Sequence, residues 1–232
     1  MLGGKIRYIF YIVFSLNPFL FGKTNFQIYL WSLNVAEVNI ETNQMNFENI
    51  PSTQIVYKAQ TKGIYNYIYK INNIYEVIID NKNRNILSFK KFINQPNLVD
   101  TLYTKRINNK TIYPKLNQHQ IKENSLNIFT LIYFLMNQKN ENILDGNILI
   151  DRDGDEFECK IGRINNSERG LYFILINEIE INNYIEKTDI FSWALFKNNV
   201  KRKIWINDYN DLYKCEFESG LMTFTAKKTY IK

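Results

Sequence analysis

The chain predicts a mainly β fold: an antiparallel meander forming a sandwich or half-barrel, with one α-helix (about 124–137) packed on it. Three observations carry this expectation. Short apolar runs separated by turn residues recur from Phe26 to Tyr230. The composition favours pleated surfaces, with 16 Tyr and 16 Phe against 9 Gly and 4 Pro. One segment alone has helical spacing and is too long for an ordinary strand.

Taken in order, Phe26 to Leu33 reads as a strand, Asn34 as a turn, and Val35 to Ile40 as an alternating return strand. Gln54 to Gln60 alternates around Ile55, Tyr57 and Ala59. Ile64 to Ile71 and Ile74 to Ile79 read as two more runs joined through Asn72 and Asn73, a residue type whose short side chain tolerates positive φ. Ile86 to Ile93 and Leu98 to Arg106 continue the series. A turn at Asn108 to Lys110 then leads to Thr111–Tyr113, which Pro114 ends. The clearest hairpin spans Asn147 to Ile161. Asp153-Gly154 is its two-residue turn, with Ile148 and Ile150 on one arm and Phe157, Cys159 and Ile161 on the other. Gly170 to Ile181 is nearly continuous in apolar character and reads as a central strand. Lys203–Asn207, Tyr213–Ser219 and Leu221–Tyr230 complete the meander.

The exception is Ser125 to Asn137, where Leu126, Phe129, Ile132, Tyr133 and Met136 recur at helical spacing. Asn127 followed by Thr130, or Asn124 upstream, supplies a cap for the orphan amides of the first turn.

Residues 1–22 read as a signal peptide or an uncleaved leader. Lys5 and Arg7 flank an apolar stretch from Tyr8 to Phe21 that Asn17 and Pro18 interrupt. A bilayer-spanning helix needs about 20 apolar residues, whereas a secretory leader needs roughly 7–15 after a basic start. The alternatives are an uncleaved anchor or a hydrophobic first strand. The expected location is periplasmic, or otherwise exported to the cell envelope. Residues 23–232 show no linker or composition shift and read as a single β-rich domain. Export permits a bridge between Cys159 and Cys215, but each lies in a strand-like pattern, and two buried thiols are favoured over a disulfide.

The formal charge is +6, and +4 without Lys5 and Arg7. Basic residues are scattered, and Lys201-Arg202-Lys203 is the densest run, so no clustered phosphate footprint exists and nucleic acid is not an expected partner. Asp151, Asp153 and Asp155 invite a calcium reading, but Gly154 falls at the fourth position between alternating strands, and a turn accounts for the pattern. The single His119 lies in a polar connector, and no Gly-x-Ser-x-Gly elbow accompanies it. Glu178 and Glu180 share a strand face, as a glycosidase pair would, but glycosidase carboxylates normally come from separate elements, and adjacent outward Glu residues are ordinary near a strand end. Trp31, Trp193 and Trp205 fit either a ligand cleft or plain cross-strand packing. No catalytic, cofactor-binding or metal-ligating residue is therefore assigned, and no cofactor is expected. The expected partners are an apolar or carbohydrate-like ligand or an envelope protein, with membrane contact only through the leader. The alternative is an envelope hydrolase using acidic residues such as Glu178 or Asp151.

In segment order the chain resembles domain-of-unknown-function family 3108, uncharacterised bacterial exported proteins, over roughly Phe26 to Tyr230. Leu30 to Ile40 is similar to that family's opening strand, turn and return strand, without its Gly. Ile74 to Asp80 resembles its strand ending in Asp. Asn127 to Met136 resembles its helix Asp-x-x-Ser-x-x-Tyr-Tyr-x-Arg, with Asn127, Thr130, Phe134 and Met136 in place of the Asp, Ser, second Tyr and Arg. Asp153-Gly154 matches its hairpin, and Lys203 to Asp208 its late Trp-containing strand. The resemblance implies an exported antiparallel β protein and offers no catalytic residues to carry over.

Overall fold

The computed structural model describes residues 22–108, 110–116, 118–122, 124–137, 147–163, 170–182, 188–209 and 211–230. The expected leader, apart from Gly22, lies outside the described residues. Six strands lead the fold: β1 (Gly22–Leu30), β2 (Leu33–Phe47), β3 (Ile50–Thr61), β4 (Asn72–Asp80), β5 (Ile86–Gln95) and β6 (Leu98–Tyr103), with a four-residue helix α1 (Tyr65–Ile68) between β3 and β4. Short strands β7 (Lys105–Ile107), β8 (Lys110–Tyr113) and β9 (His119–Gln120) form a separate small sheet. Helix α2 (Ile128–Met136) follows. Strands β10 (Asn147–Arg152), β11 (Asp155–Arg163) and β12 (Leu171–Glu180) come next, then helix α3 (Ile190–Phe196), then β13 (Lys201–Ile206), β14 (Leu212–Ser219) and β15 (Met222–Thr229).

Twelve strands make one antiparallel sheet in the order β10-β11-β12-β13-β14-β15-β1-β2-β3-β4-β5-β6. The last strand pairs with the first, Asn25 opposite Thr229, so the two meanders join in mid-sheet. The sheet is strongly curled. Strand spacing of about 4.8 Å would put β4 about 24 Å from β14 in a flat sheet, yet α2, a rod about 10 Å across, packs on β4, β10 and β14. Register shifts at Ile28/Tyr29, Ile78/Ile79, Glu156/Phe157 and Trp205/Ile206 supply bends of the kind that β-bulges introduce. Of the sandwich and the half-barrel expected, the half-barrel is the arrangement found: a single curled sheet with α2 in its concavity.

Alternation builds the core. Ile55 and Tyr57 on β3, Tyr75, Val77 and Ile79 on β4, and Ile150, Phe157, Cys159 and Ile161 on the β10–β11 hairpin are buried and enclose α2. Asn127 caps α2 as expected, its Oδ1 accepting from the Thr130 N–H at 2.9 Å and from the Thr130 hydroxyl at 2.9 Å. The Tyr57 hydroxyl donates to the Phe129 carbonyl at 2.7 Å, and residue 126 bridges to β10, so the helix is pinned to both halves of the sheet.

Several expectations need correction. The Ile64–Ile71 run is not a strand: Gly63 turns with φ +54, and α1 follows with no buried residue. Asn72 and Asn73 are not a turn but open β4, and Asn73 is buried. The first hairpin turns at Trp31 and Ser32 rather than Asn34, because Leu30 pairs with Leu33, and Trp31 takes φ +55. The Leu98–Arg106 run divides at Thr104, whose N–H and hydroxyl engage Phe89 and release the chain into the small sheet. β12 lies inside the sheet, but its outer face is exposed at Phe173, Leu175 and Ile179. Helix α3, absent from the sequence reading, is capped by Asp189, which accepts from the Ser192 N–H at 3.0 Å. His119 belongs to β9 and is half-buried. Among the described residues no helix is long and apolar enough to cross a membrane.

Candidate functional site

The concave face of the sheet, α2 and α3 together line a cavity of about 220 Å³. Its walls are apolar: Phe26, Val38 and Ala59 from β1–β3, Leu131 and Leu135 from α2, and Ala226 from β15 line it, among others. Every second residue of a strand faces inward, which explains why neighbouring strands deliver apolar groups to one space. The polar lining is sparse. Among the described residues Glu216 is the one acidic residue of the lining, and it is bridged to Lys203 at 3.5 Å and Lys214 at 3.2 Å. A cavity of this size exceeds the roughly 150 Å³ of an apolar void that takes up benzene. It is smaller than the roughly 300–1,000 Å³ of pockets for drug-sized molecules.

Beside the cavity lies a buried charge cluster. Lys91 on β5 is 1 % exposed, and its Nζ sits 2.5 Å from Asp153 Oδ2 in the β10–β11 turn and 3.0 Å from Asp189 Oδ2 at the α3 cap. The Tyr75 hydroxyl donates to the other Asp189 oxygen at 2.7 Å, and the Ser192 hydroxyl to Oδ2 at 2.8 Å. The Thr188 hydroxyl reaches Asp153 at 3.2 Å. Burial pushes the Asp189 carboxyl up, but the Lys91 ammonium and the Ser192 and Tyr75 donors outweigh it and hold the group below its ordinary value. Burial likewise opposes the Lys91 charge, and the two carboxylates overcome it and raise its pKa. An ion trio this well partnered meets the condition under which buried charge is tolerated.

Asp151 is different. Its Oδ2 accepts from the Tyr113 hydroxyl at 2.5 Å and its Oδ1 from the Gly154 N–H at 3.1 Å. Burial dominates these bonds and, with Asp153 and Glu156 adding negative charge, pushes it up to about 7. Asp155 takes Arg152 at 2.6 Å and the Asn182 N–H at 2.8 Å. The Asp153-Gly154 turn, at φ +56 and +97, is therefore also an anchor whose acids face inward. Among the described residues no group of three or more His, Cys, Asp or Glu converges to hold a metal ion.

No family model matches the chain, and no curated protein matches it. A solved structure described as a β-barrel-like protein of domain of unknown function DUF1849, from Brucella abortus, is similar with a TM-score of 0.48. That similarity has 7 % identity and covers 89 % of this chain and 95 % of that one.

The residues singled out in the sequence do not meet at one place. Glu178 and Glu180 are exposed on β12, and Asp151 is buried behind the β10–β11 turn. None of the three lines the cavity. Trp31 and Trp193 are exposed and Trp205 is buried, and the cavity lining includes none of them. Cys159 and Cys215 are free thiols. Burial pushes both up to about 12, and Cys215 lines the cavity. Sequence reading missed Lys91, although the signal was present: period-2 alternation sets it inward between Phe89 and Ile93. A lysine on an apolar strand face requires a buried partner, and Asp153 and Asp189 are those partners.

Proposed function

We propose that the protein is an exported cell-envelope binding module, without catalytic chemistry, that holds a slim apolar ligand such as a single acyl chain. The observation that carries this reading is the cavity between the curled sheet and the two helices, with its apolar walls. Its volume suits a narrow chain better than a bulky ring system. Of the two ligand classes expected from the sequence, the lining favours the apolar one. A sugar would bury hydroxyls with few partners, at about 1–3 kcal/mol for each one left unsatisfied. The leader-like composition of residues 1–22, a basic start followed by an apolar stretch, supports the envelope location. Membership of family 3108 is part of the same proposal and rests on the order of hairpins and helix.

Dodecanoate titrated calorimetrically into the full chain tests it. Saturable binding is expected, and Ala59→Phe or Ala226→Phe, which build an aromatic ring into the cavity, should weaken it by about tenfold or more. Absence of saturable binding, or equal affinity in the filled variants, would remove the apolar-ligand reading. Preferential binding of a maltodextrin would replace it with the carbohydrate one.

A further inference from the structure

At one end of the sheet, three consecutive hairpin connections stand side by side, because β14, β15, β1, β2, β3 and β4 are neighbours in that order. They are the β14–β15 turn, the β1–β2 turn and the α1 connection. The contacts between them are direct: the Trp31 N–H donates to the Thr223 carbonyl at 2.9 Å and its indole N–H to the Leu221 carbonyl at 3.0 Å. The Lys62 N–H donates to the Val35 carbonyl at 3.0 Å. The tips are apolar and outward. Leu221 is 93 % exposed, Tyr67 91 %, Ile68 72 % and Ile64 67 %, with Trp31 and Leu33 beside them. Turns ordinarily carry polar residues, and a contiguous exposed apolar patch marks an interaction surface.

Basic groups outnumber acidic ones around this rim. The segments 31–33, 62–71, 197–201 and 219–222 contain Lys62, Lys70, Lys197 and Lys201 and no acidic residue, and Glu218 stands opposite Lys201 on the neighbouring strand. Lys62 bridges to Glu37 on the strand below at 2.8 Å, and Lys197 lies 4.9 Å from the ring centre of Trp193, which is itself exposed. Trp and Tyr with an apolar body and a polar tip, aliphatic side chains between them and lysines at the edge are the composition that settles at a lipid–water boundary.

We propose that this rim, led by Trp31, Leu33, Ile64, Tyr67, Ile68 and Leu221, docks the folded domain on an anionic lipid surface. The docking is additional to any contact made by the leader and stands independently of the cavity reading. It places the cavity close to the bilayer, since the cavity lining reaches Val35, Thr61 and Ile71 at the base of the α1 connection.

Tryptophan fluorescence of the full chain tests this, because residues 1–22 contain no Trp and so cannot produce the signal. Vesicles of phosphatidylcholine with phosphatidylglycerol, made with or without bromine on the acyl chains, are the probe. Quenching by the brominated vesicles is expected, with loss of most of it in Trp31→Phe and weaker docking at high salt. The triple variant Tyr67→Ser, Ile68→Ser, Leu221→Ser should partition about tenfold less or weaker still while binding dodecanoate as the parent does. Vesicle pelleting without tryptophan quenching would assign the contact to the leader and overturn the proposal. So would partitioning unchanged by the triple variant, or a dimer in sedimentation that the triple variant dissolves, which would make a second copy the occupant of the rim.

Discussion

Burial and two acidic neighbours outweigh the bonds that Asp151 accepts from Tyr113 and Gly154, so its proton is retained in the folded chain up to about pH 7. Unfolding releases that proton over the interval above the ordinary carboxylate value. The stabilisation is therefore full below about pH 4 and declines as pH rises through 7. The loss across that interval is at most about 4 kcal/mol. Asp189 acts in the opposite sense: its depressed pKa contributes stability at neutral pH that is lost in acid. Asp151→Asn separates the two, since an amide keeps the shape and never ionises. Urea unfolding should find the variant matched to the parent at pH 4 and more stable than it at pH 8; an equal difference at both values would mean that Asp151 does not hold a proton. At this scale the sequence was legible for backbone and opaque for chemistry. Asp153-Gly154 was recognisable as a turn from its residue types, whereas the inward orientation of its acids depends on Lys91, 62 residues away in the chain.

Among the elements, α2 was readable because its cap, spacing and length agree. Its Asn127 side chain takes two donors from Thr130. Asn127→Ala should cost about 1 kcal/mol in thermal or urea unfolding, with Asn127→Asp retaining most of it; an alanine variant as stable as the parent would mean the bond does no net work. The α3 start carried a usable signal too, Asp189 ahead of an apolar run, of the kind that marks helix N-termini. The α1 connection had no such signal. Ile64 to Ile71 is composed of strand-forming residues, and only tertiary context decides that no neighbouring strand covers them. Propensity scales reflect packing against neighbours, so a tip without neighbours defeats them. That same misreading locates the exposed rim.

For the molecule as a whole, the cluster around Lys91 closes the sheet on itself. β5 lies nine or ten strand spacings from the β10–β11 turn, about 45 Å along a flat sheet, yet the Lys91–Asp153 contact is 2.5 Å. Lys91→Met leaves two carboxylates buried without their cation and should cost about 3–5 kcal/mol. Adding Asp153→Asn and Asp189→Asn should recover most of that loss, since an asparagine still caps α3. If the single variant unfolds at the same urea concentration as the parent, the trio does not close the sheet. Curling was foreseeable as a class, while the pairing that closes it was not, because no local pattern encodes which distant edges meet.

The pairing of β1 with β15 also has a kinetic side. Asn25 and Thr229 are 204 positions apart, so the seam between the two meanders cannot zip until the final strand has emerged from the ribosome. Hairpins within each meander form from nearby residues, but the seam waits on the slowest loop closure of all. A nascent chain in that interval carries raw strand edges at the seam, a condition that leaves it vulnerable to sticking to its own kind.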